Sequence, residues 1–221
     1  MKTTERVRAV LGRSFEDGSV VARTDGSRHE LFPVAVSDAE GEALRAWVVG
    51  EGARATIEVG LGYAISTLFI CDGLLVHDAA DVRHVAIDPY QRTRFANVGL
   101  QLLDEAGVAD IVEFLEDGSE IVLPRLLGER RSFDLAFVDG NHRFDGVFLD
   151  LMYLGRLVKP GGVVFVDDHQ LPAIERAVSF FVRNLGWEVL EVCDTDPLHG
   201  WAVLRTSDVA DDRHFDHFVD F

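Results

Sequence analysis

Cationic residues are scarce in this chain, and lysine is almost missing. Its 221 residues carry 21 lysines and arginines against 38 aspartates and glutamates, for a net charge of −17. Lysine occurs only at Lys2 and Lys159. A surface this acidic repels phosphate-rich polymers and anionic lipid, so we expect neither nucleic acid nor membrane among the partners of the protein.

Cysteine is equally rare, and long apolar runs are missing. Cys71 and Cys193 lie far apart, form no CxxC motif and fall in apolar segments, so we expect reduced thiols in the core. The chain opens MKTTERVRAV, without the apolar run of a secretory signal. No run has the length that a membrane span requires. These absences favour a cytoplasmic protein.

The stretch TIEVGLGYAIST, residues 56–67, is the most informative part of the sequence. A short apolar run ends at Glu58, a turn from Gly60 to Gly62 follows, and an apolar segment begins near Ala64. This order predicts a strand, a glycine turn and a helix. Glycine permits unusual φ/ψ and a close approach of the backbone to a ligand, and a helix start offers unpaired N–H groups. A nucleotide-like cofactor is the expected ligand.

Strand-like and helix-like segments alternate along most of the chain. A capping box, Ser37 to Glu40, predicts a helix toward Val49, and SVVAR between two Asp-Gly turns predicts a short strand before it. The later predicted strands are ARATIEV, RHVAID, DIVEFL, SFDLAFVD and GGVVFVDD, and the helices after them start near Ala64 or cover 91–106, 119–127, 144–157 and 172–185. Such repeated units imply a parallel sheet with both faces covered.

The last two predicted strands break this alternation. WEVLEVC and WAVLRT are joined by DTDPLHG, a loop too short to hold a helix, so we expect an antiparallel hairpin at one edge of the sheet. No repeat or low-complexity linker interrupts the chain, which argues for one domain. The final acidic residues should form a frayed tail.

Two further landmarks fall at the carboxyl ends of predicted strands, where parallel sheets bind ligands. Asp88 closes RHVAID and can accept hydrogen bonds from ribose hydroxyls, and residues 117–119 follow DIVEFL, placed to meet an adenine edge. A nicotinamide dinucleotide would require GxGxxG, but Ile65 occupies the position of the third glycine. Glu58 suits an amino-bearing or cationic ligand. With the final hairpin, these details favour S-adenosylmethionine.

These motifs, together with LVKPGGVVFVDD at residues 157–168, resemble those of class I S-adenosylmethionine-dependent methyltransferases. The resemblance implies a Rossmann-like three-layer α/β sandwich with a seven-stranded, mostly parallel sheet and an antiparallel C-terminal strand. It divides the chain into an N-terminal segment (1–36, a substrate lid or dimer contact), a methyltransferase domain (37–206) and an acidic tail (207–221). The implied cofactor-binding residues are Glu58, Gly60, Gly62, Tyr63, Ser66, Asp88, Pro89, Asp117, Gly118, Ser119 and Asp139.

Acidic residues end two predicted strands that should be neighbours. SFDLAFVD ends at Asp139, three residues before His142, and GGVVFVDD ends at Asp167 and Asp168. Three converging carboxylates are costly unless a cation neutralises them, and Mg²⁺ or another divalent cation fits. The arrangement resembles metal-dependent O-methyltransferases of the catechol and macrolide-sugar types. That resemblance implies Asp139, Asp167 and Asp168 as metal ligands and Asp139 and His142 as catalytic residues, with His142 the general base.

The sequence therefore predicts an enzyme that methylates a hydroxyl of a small molecule, a sugar or a phenol. The family is compatible with a homodimer, in which the N-terminal segment lies in the interface or over the pocket. Two alternatives stay open: an NAD-dependent oxidoreductase on a doubly wound sheet, and a non-catalytic S-adenosylmethionine-binding protein. The acids and the histidine at the strand ends argue against the second alternative.

Overall fold

A computed structural model describes residues 2–77, 81–194, 199–209 and 211–221. The chain divides into two units, Met1–Gly118 and Ser119–Phe221. The middle of the loop DTDPLHG, residues 195–198, lies outside the described residues. No helix within the described ranges combines the length and the apolarity needed to cross a lipid bilayer.

The first unit holds the glycine turn and three parallel strands. Its elements are α1 (Thr3–Asp17), β1 (Ser19–Val21), β2 (Arg28–Glu30), α2 (Asp38–Gly50), β3 (Ala55–Val59), α3 (Ile65–Leu74), β4 (Arg83–Ile87), α4 (Val98–Ala106) and β5 (Val112–Leu115). Strands β1 and β2 form an antiparallel hairpin, and β4 lies between β3 and β5. Because Val59 pairs with Ile87, the residues that follow these two strands, Gly60 and Asp88, lie side by side.

The second unit contains the predicted antiparallel edge. Its elements are α5 (Ser119–Gly128), β6 (Phe133–Val138), α6 (Phe144–Leu157), β7 (Val158–Asp167), α7 (Pro172–Leu185), β8 (Glu188–Cys193) and β9 (Trp201–Arg205). Strand β6 is parallel to β7, and β9 is antiparallel to both β7 and β8. Because Val138 pairs with Val166, the carboxyl ends of β6 and β7 bring Asp139 and Asp167 to the same edge.

Strands β3 to β9 form a seven-stranded sheet in the described part of the chain. The pairs β3–β4, β4–β5 and β6–β7 are parallel, whereas β9 is antiparallel to β7 and to β8. This arrangement confirms the predicted Rossmann-like α/β fold and its C-terminal hairpin. All five residues of β3 are buried, as expected for a parallel strand covered on both faces. Trp187 and Trp201 also lie in the core.

Two helices differ from the sequence prediction. Helix α1 was not predicted, although Val7, Val10, Leu11 and Ser14 are buried at the i, i+3, i+4, i+7 spacing of an amphipathic helix. Helix α4 was predicted to begin at Gln91, but its first residue is Val98. The reason is that Ala96 and Asn97 have φ of 46° and 59°, and residues in this left-handed conformation do not continue a right-handed helix.

The tail of the chain is not frayed at its final residues. The Phe221 ring packs 5.0 Å from the Phe180 ring of α7, and Asn184 exchanges two hydrogen bonds of 2.7 and 2.8 Å with the backbone of Val219. Phe215 and Phe218 are instead 93% and 64% exposed. The final residues therefore dock on α7 through the Phe221 ring and the Val219 backbone.

Asp150 on α6 is a buried acid that should limit stability. Its side chain is fully buried and neither carboxylate oxygen has a hydrogen bond of good geometry with described residues. Burial raises its pKa to about 7; the Ser119 hydroxyl opposes this change, and the charge of Glu120 adds to it. Between its usual pKa of 3.8 and about 7, the unfolded chain releases a proton that the folded chain retains, so stability falls as pH rises through this window.

Asp150→Asn should therefore be more stable than the unaltered protein at pH 8 and equally stable near pH 4. The ionised carboxylate costs at most on the order of 4 kcal/mol, and asparagine should recover part of it. Thermal midpoints measured across this pH range test the prediction, with Asp145→Asn, an exposed acid on the same helix, as the control. Equal midpoints at pH 8 would contradict it.

Candidate functional site

The glycine turn after β3 needs backbone conformations that glycine supplies. Gly60 and Gly62 have φ of 100° and 49°, in the region that other residues rarely adopt. The Gly60 N–H donates to the Ile87 carbonyl oxygen over 2.9 Å, which ties the turn to the end of β4. Ala64, just before α3, also has a positive φ, of 63°. The predicted order of strand, glycine turn and helix is thus confirmed.

Glu58, a predicted cofactor ligand, is fully buried and bonded within the protein. One carboxylate oxygen accepts a hydrogen bond of 3.0 Å from the Ser66 hydroxyl, and the other accepts one from the Thr67 hydroxyl. His84 Nε2 lies 3.2 Å from the second oxygen, although the direction is not that of a hydrogen bond. Glu58 therefore joins the end of β3 to the first turn of α3 and holds the two ends of the glycine turn.

Asp88 supports the glycine turn from the neighbouring strand end. Its side chain is buried, and its oxygens accept hydrogen bonds from the N–H of Tyr90 at 2.6 Å and of Gly62 at 2.8 Å. The Gln91 amide nitrogen lies 3.3 Å from the same carboxylate and donates to the Gly62 carbonyl oxygen over 2.6 Å. Both polar groups of the Gly62 backbone are thus held by side chains that follow β4.

Gln91 is a candidate site residue that the sequence interpretation missed. Its side chain is fully buried, and its Oε1 atom has no hydrogen-bond partner among the described residues. A buried polar atom without a partner is costly, which makes it a candidate for contact with a bound ligand. The position of Gln91, three residues after Asp88, could have indicated a role at the site. The sequence interpretation instead placed Gln91 at the start of a helix.

The other predicted cofactor-binding residues of the first unit differ in burial and in their hydrogen-bond partners. Tyr63 is buried, and its hydroxyl lies 3.3 Å from His29 Nδ1. Burial raises the pKa of Tyr63, while the charge of Arg94 opposes this shift. Pro89 is exposed, and Asp117 uses one oxygen to accept a hydrogen bond of 2.9 Å from the Gly118 N–H.

An acidic cluster with a histidine occupies the strand ends of the second unit. His142 Nε2 lies 3.3 Å from Asp139 Oδ1 and 3.1 Å from Asp168 Oδ2. The hydrogen bond with Asp139 raises the pKa of His142; burial opposes the shift, and the charges of Asp139 and Asp168 add to it. Asp139, His142 and Asp168 each offer a ligand atom within 4.8 Å of the others.

Asp168 has an unusual backbone conformation for its position in this cluster. Its φ is 55°, a value uncommon outside glycine and often found at functional sites. Its second oxygen accepts a hydrogen bond of 2.9 Å from the Gln170 amide, which in turn accepts one of 2.9 Å from the Gly200 N–H. The carboxylate therefore has a fixed orientation.

Asp167, the third predicted metal ligand, is placed differently from its neighbour. It is buried, and its Oδ1 accepts a hydrogen bond of 2.5 Å from the Asp168 N–H. The group of possible metal ligands found among the described residues contains His142 in its place. Ser119, the remaining predicted residue, begins α5 and is half-buried.

The donor chemistry of the cluster fits a divalent cation. Two carboxylates and one imidazole converge, and the two negative charges repel each other unless a cation or a protonated histidine lies between them. Carboxylate oxygens suit Mg²⁺ and Mn²⁺, and an imidazole ligand would favour a transition metal. The same imidazole, in its neutral form, can accept a proton.

Comparisons with known proteins identify the family of the chain. Residues 57–169, more than half of the chain, match the family model described as "Methyltransferase domain". Tricin synthase 2 of rice is 34% identical over 132 residues, covering 58% of this chain and 42% of its own. Caffeoyl-CoA O-methyltransferase 1 of Eucalyptus globulus is 30% identical over 146 residues, covering 64% and 55%. The chain thus spans about half the length of these relatives.

A solved structure extends the likeness to nearly the whole chain. The O-methyltransferase TomG of Streptomyces achromogenes, solved with S-adenosylmethionine, matches with a TM-score of 0.67 and 24% identity. The match covers 92% of this chain and 90% of TomG, and it supports the fold. The resemblance first seen in the glycine turn is confirmed by the family match, and the chain belongs to the methyltransferase domain family.

Proposed function

We propose that the protein is an S-adenosylmethionine-dependent O-methyltransferase that acts on a hydroxyl of a small molecule. The family match over residues 57–169 carries this proposal, because it includes both the glycine turn and the acidic cluster. It also argues against the NAD-dependent alternative. The curated relatives include enzymes named for O-methylation of caffeoyl-CoA, which supports a phenol as acceptor; a sugar hydroxyl is the second candidate.

The glycine turn would hold S-adenosylmethionine, whose sulfonium supplies the methyl group. Gly60 and Gly62 leave the backbone open to close approach, and the unpartnered Gln91 Oε1 offers an acceptor to an amino or hydroxyl group of the cofactor. Asp88 and residues 117–119 are the proposed ribose and adenine contacts. Glu58 supports the turn through Ser66 and Thr67.

The acidic cluster would activate the acceptor. Asp139 and Asp168 are the proposed ligands of a divalent cation, Mg²⁺ or Mn²⁺, which would lower the pKa of an acceptor hydroxyl that reaches it. Asp167 would contribute from its buried position, by holding the Asp168 backbone. His142 is half-exposed and lies next to both carboxylates, so it can take the hydroxyl proton as a general base.

The deciding experiment is a calorimetric titration with S-adenosylmethionine and S-adenosylhomocysteine, first in EDTA and then in Mg²⁺. Binding of both, followed by methyl transfer to members of a panel of phenols and sugars, would support the proposal. Binding without transfer to any acceptor would favour the non-catalytic alternative. Binding of NAD(H), with no response to either sulfur compound, would contradict the proposal outright.

His142→Ala should lower kcat by about 10²-fold, the usual scale for loss of a general base. Because His142 also lies within reach of the proposed metal position, Mn²⁺ affinity should be measured with the same variant. A base role predicts a lower kcat with nearly unchanged Mn²⁺ affinity, whereas a ligand role predicts weaker Mn²⁺ binding. Near-normal turnover at neutral pH would exclude His142 as an essential base.

Oligomeric state and location belong to the same proposal. We propose a cytoplasmic homodimer; a sequence with only two cysteines, Cys71 and Cys193, is typical of a reducing compartment. Light scattering of the full chain is the test of assembly. A mass near 24.5 kDa, that of one chain, would contradict a dimer.

A further inference from the structure

A chain of hydrogen bonds runs through the β1–β2 hairpin to the glycine turn. The Ser27 hydroxyl lies 2.5 Å from Asp25 Oδ1 and 2.8 Å from His29 Nε2, and His29 Nδ1 lies 3.3 Å from the Tyr63 hydroxyl. A neutral His29 with its proton on Nε2 satisfies every contact: Tyr63 donates to His29, His29 to Ser27, and Ser27 to Asp25. The hydrogen bonds thus all run in one direction, from Tyr63 toward Asp25.

Tyr63 is also held by aromatic packing. Its ring meets the His29 ring edge-on at 5.9 Å and the Phe95 ring edge-on at 5.1 Å. The residue before it, Gly62, has its N–H and carbonyl groups bonded to Asp88 and Gln91. The Tyr63 side chain is thus fixed directly beside a backbone segment that Asp88 and Gln91 hold in place.

The hairpin that carries His29 is itself fixed to the unit. The Arg23 N–H donates to Gln101 Oε1 over 2.8 Å, and the Thr24 hydroxyl donates to the Ala96 carbonyl oxygen over 2.7 Å. Arg23 also forms ion pairs with Asp104 and Glu105 of α4. These contacts fix the position of the hairpin, and therefore of His29, relative to Tyr63.

We propose that His29 is a positioning residue for the cofactor site, and that it acts through the Tyr63 hydroxyl to hold the glycine turn. This inference rests on the proposed binding of S-adenosylmethionine at that turn. It assigns a role to the N-terminal segment that requires neither a lid nor a dimer contact. Cofactor affinity should depend on a residue more than thirty positions before the turn.

The test is a double-mutant cycle read by S-adenosylhomocysteine titration and by thermal unfolding without ligand. His29→Ala and Tyr63→Phe should each weaken binding about fivefold, the scale of one lost hydrogen bond. The double variant should bind as weakly as either single variant, because both changes remove the same contact. His29→Asn, whose amide can place a polar atom near the position of Nδ1, should restore much of the affinity.

Arg28→Ala is the matched control, since Arg28 is exposed on the same strand and pairs with Glu30 inside the hairpin. It should bind S-adenosylhomocysteine like the unaltered protein. Unchanged affinity in His29→Ala, additive losses in the double variant, or reduced thermal stability without weaker binding would each overturn the inference. If the unaltered protein itself fails to bind, the proposed function is overturned, and this inference with it.

Discussion

Asp139→Ala and Asp168→Ala should each lose divalent-cation binding by at least about 10²-fold and keep their affinity for S-adenosylmethionine. Residues that only support metal ligands cost 10–100-fold when they are replaced, so loss of a ligand should cost at least as much. The two carboxylates are the only anionic members of the cluster that the described residues assemble, and Asp168 is held by Gln170 in the orientation that meets His142.

Mn²⁺ titration of each variant, with S-adenosylhomocysteine titration beside it, is the measurement. Asp208→Asn is the control, because it removes an exposed carboxylate of the same unit without touching the cluster. Asp167→Asn separates the two possible ligand sets: a loss as large as that of Asp168→Ala would make Asp167 a ligand, as the sequence predicts. Unchanged Mn²⁺ binding in Asp139→Ala would reject this metal site. A loss of cofactor affinity instead would make Asp139 a cofactor contact, the other role that the resemblance implies.

Gly99→Ala should distort the glycine turn, although Gly99 lies far from this turn in the sequence. A Cβ atom at this position would lie 2.7 Å from the Gly62 carbonyl oxygen and 3.0 Å from Gln91 Oε1. The first contact is with backbone, so the turn itself must shift, and the hydrogen bond from Gln91 to Gly62 must shift with it. We expect S-adenosylhomocysteine binding to weaken at least tenfold and the free energy of unfolding to fall by about 1–3 kcal/mol, the scale of overpacking.

Gly12→Ala is the matched control for this substitution. Gly12 lies within helix α1, and a Cβ atom there would meet nothing within 4 Å. Alanine in such a position should stabilise the helix by roughly 0.5–1 kcal/mol and leave cofactor binding unaltered. Calorimetry and urea unfolding of both variants make the comparison. Wild-type affinity in Gly99→Ala would show that the glycine turn is not held by this contact, or does not bind the cofactor.

The sequence predicted best the helices whose bounds are set by a few consecutive residues. Helices α6 and α7 have the predicted bounds, since apolar periodicity and Pro172 at a helix start are signals contained in a few consecutive residues. The Ser37 cap is likewise confirmed, with its hydroxyl accepting a hydrogen bond of 3.2 Å from the Glu40 N–H. The late start of α4 was not readable, because nothing local requires Ala96 to take a left-handed conformation.

The sequence by itself determined the fold class and the chemistry available at the strand ends. Alternating strands and helices predict a parallel sheet, and in such a sheet the residues after each strand share one edge, which brought Gly60, Asp88, Asp139 and Asp168 into consideration. These inferences need only the order of residues along the chain and the geometry of a strand.

Tertiary structure alone decided which side chains meet. It joined His142 to Asp139 and Asp168, turned the Glu58 carboxylate toward Ser66 and Thr67, and brought His29 to Tyr63. Contacts between residues distant in the chain depend on strand register, helix packing and individual backbone torsions. A one-dimensional pattern does not contain these quantities, because each is set by the packing of many residues at once.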